Sequence, residues 1–263
     1  MVKRFLERFY VLLIFILLYA PIVILFLLSF NNSKSRAKWG GFTFKWYTQL
    51  FQNSEIMSAL YTTLIIAVLA ATIATIIGTM AALAIHDSRK FPRMMMINAT
   101  YIPILNPEIV TGISLMLFFI MFKINLGFIT ILLGHIIFNV PYVVLNVLPK
   151  LRQLNKNTFE AALDLGATPK EAFYKIIMPE IMPGIITGFL LSFTFSLDDF
   201  VITYFVRGAG INTLSTKIYS EVRKGIKPEM YALSSIMFLA VLILLLIVNH
   251  RSEKHEKKAA LKR

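Results

Sequence analysis

Long apolar stretches separated by short polar ones set the outline of this chain. Neither residues 9–30 nor residues 56–85 contain a charge, and each run exceeds the roughly 20 residues a helix needs to cross a bilayer. The same pattern predicts further spans over about 94–122, 124–149, 181–206 and 230–249, six in all, within a single transmembrane domain covering 1–263. The first span is expected to be retained, because its apolar core is too long for a signal peptide and no small-residue cleavage site follows it. Along the second, Ala70, Ala74, Gly78 and Ala82 recur every fourth residue, a stripe on which a neighbouring helix can pack closely. The third contains Pro103, Pro107 and Glu108.

Between the fourth and fifth spans lies a polar interruption that reads as a hairpin of two short helices over 155–180. Asn157 is placed to cap the first, with Glu160 at its third helical position, and Gly166 suits a left-handed stop. Thr168, Pro169 and Glu171 then supply a cap, a first-turn proline and the return partner of a capping box. In the second helix Ala172, Phe173, Ile176 and Ile177 share a face, while Pro179 and Pro183 are expected to forbid continuation into the next span without a bend.

Composition fixes the class. Hydrophobic residues make up 57%, mean hydropathy is +0.70 and only 16% of residues are charged, which excludes an ordinary soluble domain and indicates an all-α membrane protein. The net charge of +13 belongs to flanks and loops rather than to a nucleic-acid surface. With six spans and the N-terminus inside, 17 lysines and arginines fall on the inner side and 10 on the outer, which places both termini and the hairpin in the cytoplasm. There is no cysteine, so disulfides and thiolate metal sites are excluded.

Candidate chemistry lies in the acids inside the spans. An aspartate at mid-span opposes insertion by about 2.5–3.5 kcal/mol, so Glu108, Asp198 and Asp199 need water, a partner or an interface. Counted at about 1.5 Å per residue, Glu108 and Asp198 fall at similar heights in the outer half, and an acidic ring suited to a cation is expected there. Adjacent residues on a helix point about 100° apart, so Asp198 and Asp199 cannot both face one lumen unless the helix breaks. Trp46, Phe200 and Tyr204 are candidates for aromatic faces beside a bound cation, Trp46 serving equally well as an interfacial anchor. His86, His135, His250 and His255 are scattered without metal-ligand spacing, and His135 is expected to bond to a neighbouring helix.

Glu160, Ala161, Ala162, Gly166, Ile176 and Pro179 together resemble the EAA loop of inner-membrane permeases of binding-protein-dependent ABC importers; Met178 stands where that family usually has leucine. The resemblance implies a type I ABC importer permease (MetI-like) fold. It also implies that the hairpin, through Glu160, Ala161, Ala162, Gly166, Phe173, Ile176 and Pro179, docks in a partner ATPase. The segment from Gly188 to Val206, with Ser196–Asp199 at its centre and Glu108 elsewhere, is similar to the corresponding helix of spermidine/putrescine transport permeases of the PotC type. That resemblance implies import of polyamines along a pathway containing Asp198, Asp199, Glu108, Ser196, Trp46 and Tyr204. The implied partners are a second permease subunit of the PotB type, a dimer of ATPase subunits and an extracytoplasmic polyamine-binding protein, in a bacterial inner membrane.

No GxxxxGK[ST] loop occurs, so ATP and Mg are expected on the partner ATPase, with no cofactor, metal or catalytic residue on this chain. Three alternatives stay open. The same importer class could carry another cation, and an ion-coupled secondary transporter would also use intramembrane acids but would show repeat symmetry. An intramembrane aspartyl protease needs two opposed aspartates from different helices, whereas these are adjacent on one.

Overall fold

In lipid every backbone donor and acceptor must pair within its own segment, and helices meet that requirement. The computed structural model describes residues 2–243. It contains α1 (Val2–Ser29), α2 (Lys45–Gln52), α3 (Ser54–Asp87), α4 (Lys90–Leu105), α5 (Glu108–Met121) and α6 (Phe128–Gln153). There follow α7 (Lys156–Asp164), α8 (Pro169–Ala172), α9 (Met178–Asp198), α10 (Val201–Val206), α11 (Leu214–Lys224) and α12 (Pro228–Ile243). Among the described residues four helices are long and apolar enough to cross a membrane, and α4 with α5 makes a fifth if a bent pair is one span. The expected sixth span is described as α12 up to Ile243; its remainder and the basic tail from Arg251 lie outside the described residues.

Two of the expected spans are not single helices. The third breaks between α4 and α5, whose axes meet at 102°. A residue before proline is driven from the helical region, and Asn106 (ψ 138°) is followed by Pro107 (ψ 134°), both extended. A straight count along this span therefore does not give the height of Glu108. The fifth span starts earlier than expected, and its helix ends at Asp198; α10 follows as a separate short helix. Upstream, Pro179 and Pro183 do not stop the chain, because α8 continues into α9 through a π turn at Phe173–Ile177. There Met178 N–H donates to Phe173 O, the wider loop accommodating prolines that supply no donor.

The chain divides into two compact units. In the unit of residues 59–216, α6 packs against α3, α9, α5 and α10. One apolar cluster joins Ala82 and Ile85 of α3, Val143, Val144, Val147, Leu148 and Leu151 of α6, and Ile181 of α9. A second joins Ile66, Phe119, Ile131, Phe138, Ile202 and Val206. The small-residue stripe is buried as expected: Ala70, Ala74 and Ala82 have no exposure, and a Cβ on Gly78 would lie 2.6 Å from Val143 Cβ. Where α9 meets α6, a Cβ on Gly184 would lie 2.6 Å from Asn146 O.

The unit of residues 1–58 and 217–263 is described as far as 243. The side chains of α1 from Phe9 to Tyr19 are all exposed, an apolar surface that only lipid or another apolar chain can cover. The following loop closes on Asn31, whose Oδ1 accepts from Ser33 N (3.1 Å) and Gly40 N (2.8 Å). Trp46 is 3% exposed and donates its indole N–H to Asn31 O at 2.6 Å. Farther along the chain, Lys217 pairs with Glu55 and with the buried Glu221 (3.3 Å), and Lys227 pairs with Glu221 at 3.5 Å. Burial pushes the Glu221 carboxyl up, but the Lys217 hydrogen bond and the Lys227 charge outweigh it and hold it below the ordinary 4.5. The hydrogen bond to Glu55 holds Lys217 above its ordinary 10.5.

In the hairpin, Asn155 rather than Asn157 caps α7, accepting from Asn157 N. Gly166 adopts φ +87°, and Thr168 and Glu171 form the expected capping box with Pro169 in the first turn.

Two outcomes test this packing. Gly184→Val should lower the melting temperature of the purified assembly by several degrees, since overpacking costs about 1–3 kcal/mol; an unchanged transition would contradict the close α6–α9 approach. The contribution of Glu221 is complete above the ordinary carboxylate range and lost as pH falls through its lowered value. That of Lys217 is complete below 10.5 and lost as pH rises through its raised value. Melting temperature plotted against pH should therefore have a plateau over roughly pH 5–10, and Glu221→Gln should flatten its acid edge.

Candidate functional site

The end of α9 is held by polar side chains in an otherwise apolar helix pair. Asp199 leaves the helix with ψ 121°, its N–H still bonded to Phe195 O at 3.0 Å. Its carboxylate then caps α10: Oδ1 accepts from Ile202 N (3.2 Å), and Oδ2 accepts from Thr203 N (2.8 Å) and Thr203 Oγ1 (2.7 Å). His135 Nε2, from α6, lies 3.2 Å from Asp199 Oδ2 and 2.9 Å from Thr203 Oγ1. The Asp199 carbonyl accepts from Ser215 Oγ at 2.6 Å. With its side chain 7% exposed, Asp199 is a buried charge matched by donors.

Asp198, the last residue of α9, is exposed. The break resolves the geometric conflict between adjacent aspartates by giving each its own environment. The three acids therefore do not form the expected uniform ring. Asp199 is withdrawn among α6 and α10, and Glu108 is an exposed first residue of α5, where its charge also favours the helix N-terminus.

Other expected pathway residues are placed differently. Ser196 is buried and accepts from Asn139 Nδ2 at 2.8 Å, because an amide inside an apolar helix pair needs a partner; it faces α6. Trp46 is buried by tertiary packing around Asn31, and the cation beside its ring is Lys45 of the same chain, 5.6 Å from the ring centre. Tyr204 is 43% exposed, meets Phe200 at a tilt of 39° (5.3 Å between centroids) and has Arg207 of the same chain 5.7 Å from its ring. With Met116, Phe205, Arg207 and Asn212 it lines a cleft of about 420 Å³, in which Arg207 also donates to Asn212 Oδ1.

His135, Asn139, Thr203 and Ser192 form a polar seam that the sequence reading assigned only in part. Its signal was available as polar residues four apart, 135 and 139 on α6 and 192 and 196 on α9, which lie on one helix face. Three atoms in this seam, His135 Nδ1, Asn139 Oδ1 and Ser192 Oγ, are buried without a hydrogen-bond partner.

In the hairpin, Glu160, Ala161, Gly166 and Pro179 are exposed, while Ala162, Phe173 and Ile176 are half-buried. The face shared by Ala172, Phe173, Ile176 and Ile177 is turned inward. The apolar side chains presented outward are Leu165, 89% exposed, and Tyr174, 66% exposed, which the sequence reading did not single out.

The described residues are thus mainly helical, with a short-helix hairpin between two long helices and a broken helix carrying an exposed acid. Residues 74–255 match the family described as binding-protein-dependent transport system inner membrane component, and the chain belongs to it. It is 38% identical over 246 residues to the spermidine/putrescine transport system permease protein PotC of Escherichia coli (strain K12), covering 94% of this chain and 93% of that one. It is 40% identical over 254 residues to the putrescine transport system permease protein PotI of the same strain, covering 93% and 89%. The fold is that of ABC importer permeases: a solved bacterial alginate ABC transporter in complex with alginate-bound periplasmic protein matches with TM-score 0.73 at 19% identity, covering 96% of each chain. The chain is thus a membrane permease component, as the resemblance implied.

If the carboxylate of Asp199 organises the break, Asp199→Ala should expose the first turn of α10 and raise amide hydrogen exchange at Ile202 and Thr203 by at least about tenfold. Unchanged protection would contradict that role.

Proposed function

We propose that the chain is the permease subunit of an ATP-driven importer of polyamines, spermidine or putrescine, working by alternating access. The observation that carries this reading is the exposed Asp198 carboxylate, set at a helix break where the neighbouring Asp199 is fully occupied. A polyamine is a thin chain of ammonium groups, and a carboxylate in a narrow, poorly hydrated passage attracts such a group more strongly than one in water. The substrates in the names of PotC and PotI support the same class.

Asp198 is the principal contact in this reading, with Glu108 a second carboxylate. Asp199 and Ser196 act by holding the break and the α6–α9 pair. The hairpin of 155–180 docks in an ATPase subunit, with Leu165 and Tyr174 adding apolar surface to Glu160 and Gly166. A dimer of such ATPases, a PotB-type second permease and an extracytoplasmic polyamine-binding protein complete the importer. The hairpin and both termini face the cytoplasm, in keeping with the excess of basic residues on that side. ATP-driven closure of the ATPases draws the hairpins together and opens the passage outward, and hydrolysis resets it.

Asp198→Asn should reduce uptake of labelled spermidine or putrescine about tenfold or more while leaving the amount of chain in the membrane unchanged, the loss of one charge-assisted bond being worth about 1.5–3 kcal/mol. Unaltered uptake would contradict the assignment. Uptake displaced by a divalent metal or a quaternary ammonium, but not by excess polyamine, would instead place another cation in the same importer. Gly166→Val, which forces a branched side chain into φ +87°, should leave the chain in the membrane but abolish binding-protein-stimulated ATP hydrolysis; normal transport would contradict the docking role.

A further inference from the structure

The polar seam between α6 and the α9–α10 break has a hydrogen-bond order that the donor and acceptor chemistry of its members assigns. Thr203 Oγ1 donates its only hydrogen to Asp199 Oδ2. His135 Nε2 lies within bonding distance of both that hydroxyl and that carboxylate oxygen. Neither can donate back to it, so Nε2 is the protonated nitrogen and His135 the donor. Its other nitrogen, Nδ1, is buried with no partner.

An imidazole inside an apolar helix pair with one nitrogen unpaired is a poor way to stabilise α6, where leucine would bury as well without that penalty. What the ring does supply is a fixed donor reaching from α6 to the residue at which α9 ends. The far end of α10 is tied to α6 as well, by Thr130 Oγ1 donating to Val206 O at 2.7 Å. The short helix after the break is thus pinned to α6 at both ends, and the exposed Asp198 immediately precedes the first pin.

We propose that His135 is a positioning residue for the transport pathway. By donating from Nε2 to Asp199 and Thr203 it fixes where α9 ends, and so keeps the Asp198 side chain turned out of the α6–α9 pair. The proposal deepens the reading of Asp198 as the principal substrate contact and rests on it for its functional meaning.

The absence of native cysteine allows a direct test on the assembled importer in proteoliposomes. In an Asp198→Cys background, the rate of labelling of this chain by a cationic, membrane-impermeant methanethiosulfonate reports the exposure of position 198. Adding His135→Leu should slow it about tenfold, and His135→Gln, whose side-chain amide donates from nearly the same place, should restore it to within about threefold. Thr203→Val, which keeps the shape and removes the hydroxyl, should slow it in the same direction and serves if the leucine variant does not assemble. Equal labelling in all variants would overturn the proposal, as would equal slowing by leucine and glutamine. In parallel, His135→Leu with Asp198 intact should raise the half-saturating polyamine concentration, with glutamine rescuing it. A purely structural role would lower the maximal rate and the amount of assembled importer alone. If labelling follows the proposal but Asp198→Asn transports normally, the substrate reading of Asp198 fails and the positioning by His135 stands.

Discussion

A buried carboxylate within a helix pair has to be matched by donors or it disrupts the pair. Asp199 is matched by two backbone N–H groups, the Thr203 hydroxyl and the His135 ring. Those donors can converge only because the helix stops at Asp198, which frees the first turn of α10 to point its amides at the carboxylate. The break and the buried charge sustain each other. Removing the charge leaves the α10 amides unpaired, and closing the break would leave the charge among apolar side chains.

The rest of the unit serves that arrangement. α6 supplies His135 and Thr130, and it comes close enough to do so because α3 and α9 meet it with small residues, Gly78 and Gly184 respectively. The apolar clusters at Val143–Leu151 and around Ile131 and Ile202 then fix the helix in register. In the hairpin, backbone conformation rather than packing does the equivalent work: the left-handed Gly166 and the Thr168–Glu171 box turn the chain without a core of their own.

How much of this could be read from the sequence depended on whether the cause was local. The capping box, the Gly166 stop and the small-residue stripe are local chemistry, and all are found where the residues indicate. Proline marks the α4–α5 break, but not that it would open to 102°. For the break after Asp198, the adjacent aspartates indicate only that a broken helix would let both face one lumen. No glycine or proline marks the break, because the donors that match the Asp199 carboxylate come in part from another helix, at His135. Trp46 and Ser196 read as pathway residues by type and resemblance. They are buried by contacts with Asn31 and Asn139; the four-residue spacing of Ser192 and Ser196 marks a polar face on α9 but not the partner it meets, and nothing in the segment of Trp46 marks its contact. Leu165 and Tyr174 carry no such signal either: apolar residues in a hairpin read as inward-facing, whereas Leu165 follows the end of α7 and Tyr174 lies in the π turn, and both are exposed.

Two adjacent aspartates with the same chemistry thus have different surroundings, one matched by donors and one exposed, and the proposed function gives the first the duty of holding the fold and the second that of meeting a cation. Thermal unfolding of the purified importer carrying Asp198→Asn, beside one carrying Asp199→Asn, separates those duties directly. Asp199→Asn should lower the transition by roughly 5 °C or more, since it weakens several charge-assisted bonds at once, while Asp198→Asn should leave it within about 1 °C of the native value. Equal shifts, or a larger loss for Asp198, would contradict the account.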